Sequence, residues 1–166
     1  MRCLAFAAWT LWCLGYPAQA IRRGQEALTI AQELVHPHSL AAAQHFAAFW
    51  YYRCHEAPVV QVQADALLSL ATAQGFPYWV GMGRCWQGWA LAAQGQGEAG
   101  MAQLHQGLAA VFPTGQMLTR PLCLVLLAEA AGHVGQVADG LRRLAEALTA
   151  FETSGRGQML TEAYRL

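Results

Sequence analysis

Lysine is absent from all 166 positions, so the ten cationic side chains are arginines, and they are balanced by ten Asp and Glu. A chain with no formal net charge sets up little field toward a phosphate backbone, which argues against a nucleic-acid partner. The missing lysine also excludes a phosphate-binding loop of the G-x-x-x-x-G-K-[ST] kind. Charge is scarce altogether: charged residues make up 12% of the chain and hydrophobic ones 55%. That balance excludes a solvated, disordered tail. Beyond the opening residues no apolar run approaches the length of a membrane span, so no membrane partner is expected. Val and Ile are few beside Ala, Leu and Gln, and Gly and Pro recur in small clusters. The composition is that of an all-α protein.

The five cysteines, Cys3, Cys13, Cys54, Cys85 and Cys123, are odd in number and include no C-x-x-C. They read as buried free thiols in a reducing, cytoplasmic compartment. His36-Pro37-His38 offers two imidazoles in a turn but no third ligand nearby, so no metal is expected. Cys54 and His55 are neighbours in sequence and point apart on a helix, which speaks against a thiolate–imidazole pair. No catalytic residue and no cofactor follow from these side chains. The pairs Arg22–Arg23 and Arg142–Arg143 read as solvated helix faces.

The opening stretch MRCLAFAAWTLWCLGYPAQA has two readings. A positive start, an apolar run and a closing A-Q-A resemble a secretory signal peptide, which would make this a secreted protein beginning at Ile21. Internal repetition favours the other reading. When the chain is shifted against itself by 40 residues, Gly15, Gly95 and Gly135 share a column with His55, and Leu28, Leu68, Leu108 and Leu148 fill another. Ala8, Ala48, Gly88 and Ala128 form a column of small residues, and Ala20, Val60, Gly100 and Gly140 a mostly small one. Gly75, Gly115 and Gly155 align, as do Pro37 and Pro77. Residues 1–14 therefore read as the first helix of the first unit, and A-Q-A as the start of the second helix.

Each unit divides into two helical halves separated by glycine or proline punctuation. The first halves span about 3–14, 38–53, 78–94 and 119–133, and the second halves about 18–34, 58–74, 98–112 and 137–152. Pro17 and Pro58 suit first helical turns. Ala20, Gly24, Ala27, Leu28 and Ala31 lie on one helical face. The units run 1–37, 38–77, 78–117 and 118–157, with a fifth begun at 158–166, where Tyr164 and Leu166 suggest an uncapped edge suited to self-association.

These columns resemble a tetratricopeptide-type helical repeat. In LAEAAGHVGQVADGLRRLAEAL, the small Ala128, the break at Gly135, the small Gly140, bulky Leu144 and Ala147–Leu148 stand where that pattern expects them. The usual period is 34 residues and here it is 40, which HEAT-type arrays share. A narrower likeness, carried by GYPAQA, ELVHPHSLA, ATAQGFPYW and GWALAAQGQGEAG, is to the C-terminal repeat region of large bacterial signalling ATPases fused to nucleotide-cyclase or kinase domains. The resemblance implies a single domain of about four antiparallel helix pairs in a right-handed solenoid. It also implies a non-catalytic protein–protein interaction or scaffolding role in signal transduction.

Twelve of the seventeen aromatics fall in the first helices of the pairs. The resemblance places those helices on a concave face, where a partner protein or peptide would dock. The implied groove comprises Trp9, Trp12, His45, Phe49, Tyr52, Arg53, Cys85, Trp89 and Glu129. Phe6, Phe46, Tyr51 and Trp86 read as core. For Trp9, Phe49 and Trp89, groove and core are both open on sequence grounds, because one helix cannot turn both aromatic columns inward.

Overall fold

The computed structural model describes residues 2–115 and 119–153. Among them are eight α-helices and no strand: α1 (Arg2–Cys13), α2 (Pro17–Glu33), α3 (Pro37–Arg53), α4 (Ala57–Gln74), α5 (Pro77–Ala93), α6 (Gly97–Val111), α7 (Arg120–His133) and α8 (Val137–Thr153). A 3-10 turn, Phe112–Thr114, follows α6 at the F-P-T-G stretch, where the second half of the third unit is expected to end. The expected fifth unit at 158–166, with Tyr164 and Leu166, lies outside the described residues, as does Gly155.

The helix boundaries follow from local chemistry. Pro17, Pro37 and Pro77 each open a helix at the position where the missing N–H is no loss and the fixed φ is already helical. The stops come from left-handed residues. Gly15, Val35, His55, Gly75, Gly95, Gly115 and Gly135 all have positive φ, so the backbone reverses sign every twenty positions. Behind Gly15, His55, Gly75, Gly95 and Gly135 the next residue bonds back onto the helix the chain leaves, as in Tyr16 N–H to Leu11 O at 2.9 Å and Gln96 N–H to Leu91 O at 2.9 Å. These bonds satisfy carbonyls that the helix ends would otherwise leave unpaired.

Two of the seven stops are not glycine, and Val35 is the more costly. It holds φ 47 while 86% exposed, a left-handed conformation in which a β-branched side chain crowds its own backbone. Val35→Gly removes that crowding and sacrifices no packing. The stability expected from chemical denaturation rises by about 1 kcal/mol, after allowing for the added freedom of glycine in the unfolded chain.

Each helix packs on its neighbours in the chain, and the odd-numbered helices also pack on one another: α1 on α3, α3 on α5 and α5 on α7. The core therefore concentrates in the odd helices. α3, α5 and α7 each bury most of their length, whereas α2, α4 and α6 bury one stripe of mainly small residues. The two small columns mark where the helices of a pair cross. Ala8, Ala20, Ala48 and Val60 have no accessible surface. At the corresponding α5–α6 crossing, a Cβ on Gly88 would lie 2.6 Å from the Gly100 carbonyl oxygen, and one on Gly100 would lie 2.5 Å from that of Gly88. Gly140 stands similarly over Ala128 O.

The first helix is part of this packing. Ala5 and Ala8 are buried, and α1 lies against both α2 and α3. Among the described residues no helix is long and apolar enough to cross a membrane.

Candidate functional site

The aromatic side chains of the odd helices form a continuous ladder. Trp12 stacks on Trp50 with centroids 5.7 Å apart, and Phe49 meets Trp50 edge-on at 5.0 Å. Phe49 continues to Trp86 at 6.3 Å, and Tyr52 bridges Trp86 at 5.7 Å and Trp89 at 4.9 Å. Ring pairs at these separations add about 0.5–1.5 kcal/mol each beyond the area they bury.

This ladder decides the groove–core alternative for most of the residues assigned to a concave face. Phe49 and Trp89 are 4% and 1% exposed, and Tyr52, Cys85 and His45 are buried as well. As placed, these five cannot offer a surface to a partner. The physical cause is the direct packing of odd helix on odd helix: Phe49 reaches Trp9 on α1 and Trp86 on α5 at once. Trp9, Trp12, Arg53 and Glu129 remain half-buried and accessible. Trp9 lies on Phe49 at 5.2 Å, and the Arg53 guanidinium sits over the Trp12 ring at 5.3 Å, a geometry in which the ring quadrupole attracts the cation.

The residues read as core also divide. Trp86 is fully buried. Tyr51 and Phe46 are half-buried, the former with its hydroxyl accepting from Gln25 Nε2 at 2.9 Å. Phe6 is 64% exposed, because no helix among the described residues covers the outer face of α1. Its only ring partner among the described residues is Phe46, at 6.5 Å. Periodicity in a sequence shows which residues share a face but not whether anything lies against it, so this exposed aromatic carried no signal.

The buried polar group at the centre of the ladder is His45. Trp86 Nε1–H donates to His45 Nδ1 at 3.0 Å. That bond requires a lone pair on Nδ1 and so places the proton of the neutral ring on Nε2. Phe46, Trp79 and Trp86 surround the imidazole at 5.4–5.7 Å. Burial in this apolar cage lowers the His45 pKa to about 4, since desolvation opposes the charged form.

The other chemistry-bearing side chains are occupied locally. His36 Nδ1 accepts from the Ser39 backbone N–H at 3.2 Å and so caps α3. His38 packs edge-on against Phe76 and Trp79. Cys54 is half-buried, and burial followed by the Glu56 carboxylate raises its pKa, with Arg53 opposing. That is the reverse of an activated nucleophile. Cys3 and Cys13 are exposed, contrary to the expectation of buried thiols, whereas Cys85 and Cys123 are buried. Arg23 pairs with Glu26 at 2.7 Å, and Arg142 and Arg143 both meet Asp139. Arg23, Glu26 and Arg142 are exposed, whereas Asp139 and Arg143 are half-buried, so the face expected to be solvated is partly covered at Arg143. Pairs of this kind along single helices carry small energetic weight. A cleft lined by Ile21, Gly24, Leu28, Ala47 and Trp50 encloses about 40 Å³, room for a few waters and far below the size of a substrate pocket. No protein-family model matches the chain, and no curated protein matches it.

Proposed function

We propose that this chain is a non-catalytic protein-interaction or scaffolding module, the repeat portion of a cytoplasmic bacterial signal-transduction protein. In this reading it is a right-handed solenoid of tetratricopeptide-type helix pairs with a 40-residue period. The left-handed stop every twenty residues and the small-residue crossings support the repeat. The observation that carries the function is the accessible end of the aromatic ladder. Phe6 and the half-buried Trp9, Trp12 and Phe46 lie together on α1 and α3, with Arg53 over Trp12. The partner is a peptide segment presenting apolar anchor side chains, since large aromatics beside a single cation supply contact area at low ordering cost.

The test compares capture from a native lysate by the wild-type chain and by Phe6→Glu and Trp12→Ala variants. Phe6 is mostly in water, so Phe6→Glu leaves the fold intact, which circular dichroism checks. The expected result is a specific protein held by wild type and weakened roughly thirtyfold or more by either substitution, about 2 kcal/mol, as for an interface anchor. Equal capture by all three chains overturns the assignment. A concentration-dependent dimer abolished by Phe6→Glu identifies the captured partner as a second copy.

A further inference from the structure

We propose that Met82, Cys85 and Cys123 form a buried three-sulfur site for a soft monovalent metal ion of the copper(I) class. Met82 and Cys85 stand three residues apart on α5 and so share a face. Cys123 comes from α7, which packs directly on α5. All three side chains have no accessible surface. The Cys123 thiol donates to Met82 Sδ at 3.8 Å, and the Cys85 thiol interacts with that of Cys123. α6 closes the third side. A Cβ on Gly107 would come within 2.6 Å of Cys85 Sγ, so the glycine leaves that sulfur its place.

Spacing, softness and charge all point to the same class of ion. A trigonal ion with metal–sulfur bonds of about 2.3 Å needs its sulfurs about 4 Å apart, which is close to the spacing already present between Cys123 and Met82. Two thiols and a thioether are the donor set that selects copper(I) over harder cations. Zinc requires four ligands, and no group of three or more His, Cys, Asp or Glu that could hold a metal occurs among the described residues.

A monovalent cation that displaces one thiol proton to solvent adds no net charge to the pocket, because one thiolate, one thiol and one thioether then surround a single positive charge. A divalent ion exchanging for one proton would leave an unpaired buried charge, which is costly. Loading proceeds by transient local separation of α7 from α5, the kind of opening that packed helices undergo without global unfolding.

The experiment uses the full chain with Cys3→Ser, Cys13→Ser and Cys54→Ser, which removes the exposed and half-buried thiols. Copper(I) is titrated anaerobically in competition with a chromophoric copper(I) chelator. The expected result is one ion retained per chain, with X-ray absorption showing a sulfur-only shell at about 2.3 Å. Cys85→Ala and Cys123→Ala each lose that ion, and Met82→Leu, which conserves volume and fold, weakens retention roughly tenfold or more. The proposal is overturned if the parent retains no ion, if the cysteine variants retain it equally, or if the shell contains oxygen or nitrogen. Should a cysteine variant unfold, the parent's absorption shell and the Met82→Leu comparison decide the matter.

Discussion

Acidification from neutral pH to below 4 is expected to remove roughly 3 kcal/mol of stability through His45. Its folded pKa of about 4 lies below the ordinary 6.5, so the fold favours the neutral ring. The contribution is fully present above pH 6.5 and is lost as pH falls through 6.5 toward 4. A separation of about 2.5 units at 1.36 kcal/mol per unit gives the figure. Protonation also places a hydrogen on Nδ1, where Trp86 Nε1–H already donates, so the charged ring loses its one buried partner and turns two donors toward each other. The measurement is urea denaturation at pH 7 and at pH 4 for wild type and His45→Asn. The Asn amide oxygen can accept from Trp86 without titrating, so the variant should lose about 3 kcal/mol less than wild type across the same interval. Equal losses in the two proteins would place the acid sensitivity elsewhere.

Gly88→Ala is expected to cost at least about 3 kcal/mol, at the upper end of overpacking penalties. The added methyl would stand 2.6 Å from the Gly100 carbonyl oxygen and 2.8 Å from Leu104 N. Both obstacles include backbone, so no rotamer change relieves them. α5 and α6 would have to move apart along their whole contact, because the second close approach, Gly81 against Gly107, has the same reciprocal geometry. A thermal melt gives the answer directly. Gly132→Ala is the control: its Cβ meets nothing within 4 Å, and alanine favours the helix there. A Gly88→Ala variant as stable as wild type would mean that the two helices do not approach so closely.

The features legible in the sequence are those that restrict residue type through the backbone. A left-handed stop tolerates few side chains, so Gly15, Gly95 and Gly135 mark it openly, and their alignment gives away His55, which does adopt φ 58. Close crossings likewise admit only small residues, which is why Ala8, Ala48, Gly88 and Ala128 align. Val35 occupies the same column as Gly75 and Gly115 without resembling them, so the stop there is legible through Pro37 in V-H-P-H and not through the left-handed residue itself.

The candidate site was less legible because helical periodicity leaves rotation about the axis undetermined. Trp9, Phe49 and Trp89 share a column, yet Phe49 and Trp89 are covered from both sides while Trp9, on the first helix, is covered from one. Their exposure depends on what lies next to each helix, which no residue in the column records. The three sulfurs were hidden for a different reason. Cys85 and Cys123 are separated by 38 positions, two short of the repeat, so they fall in different columns and meet only through the packing of α7 on α5.

The order of packing along the chain has a kinetic consequence. The principal helix contacts join elements one or two places apart, so each interface closes a chain segment of similar, modest length. Loop-closure entropy grows only with the logarithm of that length, and no pairing has to wait for the two ends of the chain to meet. Contacts so local in sequence favour rapid folding. Nucleation should then occur wherever the pairwise packing is strongest, at the ring-filled contact between α3 and α5, and structure should spread outward from there in both directions.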